Sequence, residues 1–408
     1  MRFLRHSLIQ VQGIRRLNMH LLILLVVLLL ERGQTSPLNL NTTHLEGRDQ
    51  RQLSLFAVVN FPNLKCTTKT GSTTYGTCIS TSECTSRSGS ASGTCAAGFG
   101  VCCYMAVSTC GSSLSYNNTY IQNPGYPSTY TPTTTGTCVY TVNKASSDVC
   151  QLRLDFQTFS GFAVTSVGAK TDSMAAAGQT GKNPPTISGT NTGYHMYVNV
   201  GADSTDTATL TMTWGDIATA KQYNIFVQQI ECSSAYKAPQ DCVQYFTGTT
   251  GTIQSYGWAG SQLLAGMDYN NCVRTELGYC GIQYKETSGT SIDAFAIFAT
   301  ITNTQIALAA LAESTDGVCS AQGTMVTIPM TSLDGVSPLP IATNVPPFPT
   351  EFCGGLFGIS TGSVATPVQS NQRPFNVHLF TSATPTLDSA STATTGFSLD
   401  YTQIPCGI

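Results

Sequence analysis

Charge is scarce in this 408-residue chain: only 10% of its residues are Asp, Glu, Lys or Arg, against about 25% in an average soluble domain. The 19 basic and 22 acidic side chains leave a formal net charge of −3, and no basic cluster interrupts the pattern. Nucleic-acid binding, which depends on such a cluster, is therefore set aside. Histidine is equally sparse. Of five, His6, His20 and His44 lie near the N-terminus, and only His195 and His378 belong to the body of the chain. Both read as ordinary residues at corresponding strands of a repeat, which leaves little for general acid–base catalysis or an imidazole metal site. Long apolar runs are missing too. The longest, 21–30, has ten residues, where a bilayer-spanning helix needs about 18 or more. Later apolar stretches such as 294–306 are broken by Thr, Asn and Gln. Helical periodicity with caps is absent apart from an ambiguous stretch at 303–313.

What is present is the signature of export. Arg2, Arg5, Arg15 and Arg16 precede the apolar run, and the polar residues Glu31, Arg32 and Gly33 follow it. That order reads as a secretory signal over 1–35, cleaved between 33 and 36, with no stable membrane insertion afterwards. Met19 offers an alternative start immediately before the run. The sequence has 16 cysteines, and an even count in an exported chain points to disulfides instead of thiolate catalysis or zinc. Asn41-Thr42-Thr43 and Asn117-Asn118-Thr119 are acceptor sequons, so glycosylation is expected at Asn41 and Asn117. Residues 36–60 read as a linker segment. Within it, Arg48-Asp49-Gln50-Arg51 is a solvated stretch or a proprotein cleavage site. The stretch 53–61 is apolar enough to pack as a strand against a neighbouring module.

Cysteine spacing divides the rest. Cys66, Cys78, Cys84, Cys95, Cys102 and Cys103 crowd a segment rich in Gly, Ser and Thr, which needs cross-links because it has little core. The adjacent Cys102 and Cys103 cannot readily bond to each other, so each reaches a different partner. Six cysteines alone leave about 15 connectivities open. The remaining ten fall into two parallel sets: Cys110, Cys138, Cys150 and Cys232, then Cys242, Cys272, Cys280, Cys319, Cys353 and Cys406. Spacings of 28 and 30 positions, for Cys110 to Cys138 and Cys242 to Cys272, support an internal repeat. So does the alignment of Tyr223-Asn224-Ile225-Phe226-Val227 before Cys232 with Phe397-Ser398-Leu399-Asp400-Tyr401 before Cys406. These are alternating strands, as are 151–156, 194–200, 281–284 and 375–380. The expected architecture is all-β, a pair of antiparallel sandwiches after a small disulfide-rich module.

Two resemblances sharpen this. The pattern Gly76-Thr77-Cys78, Cys84, Cys95, Val101-Cys102-Cys103 resembles the clip domain of arthropod extracellular proteins, over about residues 60–104. It implies the pairings Cys66–Cys102, Cys78–Cys95 and Cys84–Cys103. The segment Cys110, Asn123-Pro124-Gly125-Tyr126-Pro127, Cys138-Val139-Tyr140 and Leu152-Arg153-Leu154-Asp155-Phe156 resembles the opening of a CUB domain. Cys319 and Cys353-Gly354-Gly355, with the closing strand from Gly396, resemble a divergent second one. The CUB resemblance implies jelly-roll sandwiches with Cys110–Cys138, Cys242–Cys272 and Cys319–Cys353 bridged. Cys150 with Cys232, and Cys280 with Cys406, then look like one added bridge per repeat. The expected division is a clip-like module at 61–104 and CUB-like domains at 105–235 and 236–408.

Many CUB domains bind calcium through acidic side chains, and the resemblance nominates Asp172, Asp203 and Asp206 as candidate ligands in the first repeat. The Glu expected after Phe159 is missing there. In the second repeat Glu286 is placed suitably, but no Asp follows Cys319. No serine-protease triad is recognisable. The leading expectation is a secreted, non-catalytic glycoprotein that recognises an extracellular protein or glycan through CUB-like domains, in an arthropod proteolytic or immune setting. A structural component of matrix, cuticle or egg covering is the alternative, suggested by low charge and dense cross-linking. A hydrolase would need acid or histidine pairs assembled between the sandwiches.

Overall fold

The computed structural model describes residues 60–69, 74–260, 262–297, 310–313, 319, 323–338, 348–359, 365–383 and 395–407. The signal segment, Asn41, the 48–51 stretch and nearly all of 53–61 lie outside the described residues.

The cysteine-rich segment folds as β1 (Lys65–Thr67), β2 (Tyr75–Ile79), a short helix α1 (Thr81–Ser86), β3 (Ser90–Cys95) and β4 (Gly100–Val107). Ser80 starts the helix by accepting the Glu83 N–H on its hydroxyl, which satisfies one of the free donors of the first turn. The buried cluster is small, comprising Ile79, Cys84, Cys103 and Met105. The bridges Cys66–Cys102, Cys78–Cys95 and Cys84–Cys103 fasten β1, β3 and α1 around the central β2–β4 pair. Gly76 is required at this contact, since a Cβ there would lie 2.4 Å from the Cys103 carbonyl oxygen.

The first sandwich comprises β5 (Ser113–Leu114), β6 (Thr119–Gln122), β7 (Gly136–Asn143), β8 (Val149–Ser160), β9 (Ser173–Ala177), β10 (His195–Asn199), β11 (Thr207–Trp214) and β12 (Gln222–Glu231). One sheet has the order β6-β12-β8-β10 and the other β5-β7-β11-β9. The second sandwich contains β13 (Cys242–Phe246), β14 (Thr250–Gln254), β15 (Asp268–Val273), β16 (Tyr279–Glu286), β17 (Phe295–Ala296), β18 (Ala310–Glu313), β19 (Thr324–Thr327), β20 (Thr331–Ser332), β21 (Glu351–Gly354), β22 (Val368–Ser370), β23 (Phe375–Thr381) and β24 (Gly396–Pro405). Its sheets run β14-β24-β16-β22-β20 and β13-β15-β23-β19-β21-β18. The chain is thus all-β, built from sandwiches. The two strand orders repeat each other, and in both the first short strand lies parallel to the second, β5 to β7 and β13 to β15. Matching bridges reinforce matching strands: Cys110–Cys138 and Cys242–Cys272 at one edge, Cys150–Cys232 and Cys280–Cys406 between an inner strand and the residue after the last strand. Cys319–Cys353 is a further bridge of the second sandwich.

Two details of the sequence reading change. His195 and His378 do not occupy corresponding strands: β10 has β22 as its counterpart, whereas β23, which carries His378, corresponds to β11. Alternation shows that each histidine sits on a strand but not which sheet the strand joins. The described end of the ambiguous 303–313 stretch is β18, paired antiparallel with β21.

The described parts are joined through two contacts. First, β4 pairs parallel with β6, which continues the disulfide-rich sheet into the first sandwich. On the outer face of that sheet Tyr120 and Phe226 lie side by side, and both are buried. Tyr104 and Tyr75 of the cysteine-rich segment cover them, with ring centroids 4.9 Å (Tyr104–Tyr120) and 5.7 Å (Tyr75–Phe226) apart. Tyr120 Oη accepts the Tyr75 N–H at 2.8 Å.

Second, the sandwiches share one continuous apolar core. Tyr256, from the second, is fully buried and packs on Phe156 and Tyr194 of the first, while its hydroxyl donates to the His195 carbonyl at 2.7 Å. The His195 ring returns the contact, with Nε2 accepting the Tyr245 N–H at 2.9 Å. Asn191 Oδ1 accepts from Gly257 N and Gly168 O from Ala265 N. The connecting segment is clamped by Gln151, whose amide exchanges two hydrogen bonds with the Ala238 backbone.

Burial, aided by the nearby Arg153 charge, lowers the His195 pKa from 6.5 to about 3. The unfolded chain therefore takes up this proton first. The stability contributed by the neutral ring is complete above about pH 6.5 and declines as pH falls towards 3, by at most about 1.4 kcal/mol per unit. Urea unfolding between pH 7 and 4.5 should show a steeper acid loss for the native chain than for His195→Gln. Equal slopes would contradict this.

Candidate functional site

Where the cysteine-rich segment and the two sandwiches meet, they leave a cleft of about 550 Å³. One side is the strand entry at Leu64 and Lys65. The base is the outer face of β8, β10 and β12, presenting Arg153, Tyr197 and Gln228, and the far side carries Tyr236, Tyr245 and Arg274. Each residue reaches the cleft through the local fold. Along β8, Leu152, Leu154 and Phe156 point into the core while Arg153 and Asp155 alternate outward, as a half-buried strand demands. Ala238 and Cys242 in the connecting segment pack with Tyr197, Ile230 and Cys272, which fixes the backbone on either side of Tyr236.

The polar groups are well ordered. Arg153 donates from Nε to Asp155 at 2.9 Å and from Nη1 to Tyr197 Oη at 3.1 Å. Arg274 holds Glu276 through Nε and Nη2, and Glu276 also accepts the Gly248 N–H at 2.7 Å. These bonds keep the Glu276 carboxyl below its ordinary range, with the Gly248 bond the larger cause. The Lys65 ammonium sits 3.8 Å from the Tyr75 ring centroid and 5.0 Å from that of Phe226, a cation–π placement. Partial burial lowers its pKa, with Asp155 opposing that shift. Tyr236 is 78% exposed, a large side chain held at the rim.

Arg153, Asp155 and Phe226 stood in strand motifs of the sequence, but none of these residues was nominated there for binding. They come from three segments and share no motif, so only the packing of those segments assembles them. The outward alternation of Arg153 and Asp155 in an otherwise apolar strand was the single available signal.

The acidic candidates for calcium are not brought together. Asp172 is fully buried and its carboxylate is occupied: Lys221 Nζ lies 3.1 Å away, Ala163 N donates to Oδ2, and Gly215 N and Asp216 N donate to Oδ1. Lys221 is also fully buried and donates to the Asp216 and Thr219 carbonyls. Asp206 and Asp203 bond to each other's backbone at the other end of β11. The eight residues of that strand set roughly 25 Å between the two places. A buried ion pair is what placed an acid at position 172, and sequence alone does not separate such an acid from a metal ligand. In the second sandwich the Glu286 carboxylate accepts the Phe357 N–H at 2.5 Å. His378 pairs with Asp268 at 2.8 Å, which also bonds Lys182 of the first sandwich. At Asn117, Oδ1 accepts the Gln229 N–H and Nδ2 donates to the Gln229 carbonyl. This sequon stands at the cleft wall. Among the described residues every cysteine is in a disulfide, and no helix is long and apolar enough to cross a membrane.

Fold and bridges define the class as a disulfide-stapled β-sandwich protein. Residues 239–404 match the family model described as Animal CUB domain, a span that coincides with the second sandwich. Among solved structures, the chain is similar to the CUB1-EGF-CUB2 domains of rat MASP-1, at 14% identity over 73% of this chain and 99% of that one, with a TM-score of 0.23. The CUB1-EGF-CUB2 domain of human MASP-1/3 gives 14% identity over 70% and 98%, TM-score 0.20. The full extracellular region of zebrafish Gpr126/Adgrg6 gives 10% identity over 73% and 34%, TM-score 0.25. A search of curated proteins finds no match.

Lys221→Met should remove the cation of this buried pair and leave the Asp172 carboxyl only its backbone donors, lowering unfolding stability by about 3–5 kcal/mol in urea unfolding. Calcium at millimolar concentration should leave the melting temperature of the native chain unchanged from that in chelator. A calcium-induced rise abolished by Asp172→Asn would contradict the assignment.

Proposed function

We propose that this chain is a secreted, non-catalytic recognition protein that binds an extracellular protein partner in the cleft between its modules. The observation that carries the reading is the composition of the cleft. Three tyrosines and two arginines line a concave surface on strands anchored by disulfides and core packing. Tyr and Arg are the residues that dominate binding energy at protein interfaces, and rigid presentation lowers the entropy cost of association. The match to the Animal CUB domain supports an extracellular setting, as do the eight bridges of the structure, since disulfides persist in oxidising compartments.

In this reading the cysteine-rich segment is a clip-like module, the two sandwiches are tandem CUB-like domains divided near 105 and 236, and the chain belongs with the secreted clip- and CUB-containing proteins of arthropods. Its setting is regulated proteolysis or immunity. The leader is removed near residue 35, and Asn41 and Asn117 are glycosylated, the glycan at Asn117 narrowing one wall of the cleft. The non-catalytic reading is supported by His195, whose ring is buried and bonded to backbone, and by His378, which is paired with Asp268.

The test is affinity capture from extracellular fluid with the full secreted chain and with Tyr236→Ala, whose exposed position makes folding damage minimal. A partner held by the native chain and weakened about tenfold or more by the variant, some 1.4 kcal/mol, supports the reading. A partner held equally by both would overturn the cleft as its site. Recovery of the bait in insoluble matrix without a soluble partner would favour the structural alternative.

A further inference from the structure

The charged groups around the cleft differ in one respect, which is how far their hydrogen-bonding capacity is already filled. The acceptors are engaged. Both oxygens of Glu276 take N–H groups from Arg274, and one takes the Gly248 amide as well. Asp155 Oδ1 receives Nε and Nη2 of Arg153. The donors are not engaged to the same degree. A guanidinium carries five N–H groups in a fixed fork. Arg274 directs only Nε and Nη2 to Glu276, so its Nη1 edge is open, and its side chain is 43% exposed. Lys65 makes no ion pair among the described residues and faces only the rings of Tyr75 and Phe226. Its ammonium is partly desolvated, with Asp155 acting on it only at a distance and itself bonded to Arg153, a state that an incoming anion in direct contact relieves. Among the described residues that line the cleft, Glu231 is the one acid, and it is exposed.

We infer that the cleft recognises an acidic peptide segment, a loop or tail of the partner rich in Asp or Glu, with its carboxylates bonded to Lys65 and Arg274 and its apolar side chains against Leu64, Tyr236 and Tyr245. This deepens the proposed function and rests on the cleft being the binding site. Charge complementarity selects the occupant. A carboxylate can accept from the open Nη1 edge of Arg274 and from the Lys65 ammonium in charge-assisted hydrogen bonds, and such pairing supplies selectivity and association rate. The apolar rim of Leu64, 63% exposed, and Tyr236, 78% exposed, favours a polypeptide, which offers apolar side chains between its charges.

The experiment uses the full secreted chain and three immobilised probes: a ten-residue glutamate peptide with interspersed leucines, the equivalent lysine peptide, and a sulfated oligosaccharide. The acidic peptide should bind saturably, weaken as salt rises from 50 to 300 mM, and lose about tenfold affinity in Lys65→Gln/Arg274→Gln. Glu231→Gln, which removes the opposing charge at the rim, should bind it at least as tightly as the native chain. Melting temperatures of all variants should lie close to that of the native chain, so that weakened binding is not unfolding. Preference for the lysine peptide, preference for the sulfated oligosaccharide, or undiminished binding by the double variant would each overturn the inference. The two proposals are separable. Partner capture lost in Tyr236→Ala but intact in Lys65→Gln/Arg274→Gln would sink the acidic-segment inference and leave the cleft as the site.

Discussion

The rest of the arrangement depends on the contact around Tyr256. A tyrosine with no exposed surface, from one sandwich, places its ring among the aromatics of the other and its hydroxyl on the backbone of β10. A second hydrogen bond runs the same way, the Tyr245 N–H of the second sandwich donating to Nε2 of His195. Such a buried polar pair is costly unless fully bonded, so the sandwiches can be apposed in this way only with these partners aligned. Because β10 is fixed, Tyr197 two residues along is fixed, and with it the base of the cleft.

A second constraint acts from the other side. The outer face of the β6-β12-β8-β10 sheet carries Tyr120 and Phe226, which a solvated sheet face would not retain as fully buried groups. The cysteine-rich segment covers them, and its own small core makes it dependent on three bridges for shape. The cover ends at β1, which is why Lys65 stands where apolar packing gives way to the open cleft. The cleft is therefore the space left between two obligatory contacts.

Much of this architecture was legible in the residues because its determinants are local. Alternation in 151–156 and 375–380 announced strands, and both are strands. The low charge and absent helical period agreed with an all-β chain. The histidines were harder, since alternation gives a face and not a sheet, and β10 and β23 joined different ones. The setting of Asp172 was hidden for a related reason. Its partner Lys221 is far along the chain, and an acid neutralised by a buried lysine looks in sequence like an acid awaiting a metal. Of the cleft, only the outward alternation of Arg153 and Asp155 was legible, since Lys65, Arg153 and Arg274 become neighbours only through the Tyr256 and Tyr120 contacts, and neither contact leaves a periodic trace.

The central claim is that the cysteine-rich segment and both sandwiches form one cooperative body that holds the cleft open. Differential scanning calorimetry of the secreted chain tests it most directly, by comparing calorimetric and van't Hoff enthalpies. The account predicts a single transition with a ratio near one, shifted to lower temperature as a whole by Tyr256→Ala. Two or three resolved transitions, with Tyr256→Ala moving only one of them, would contradict it.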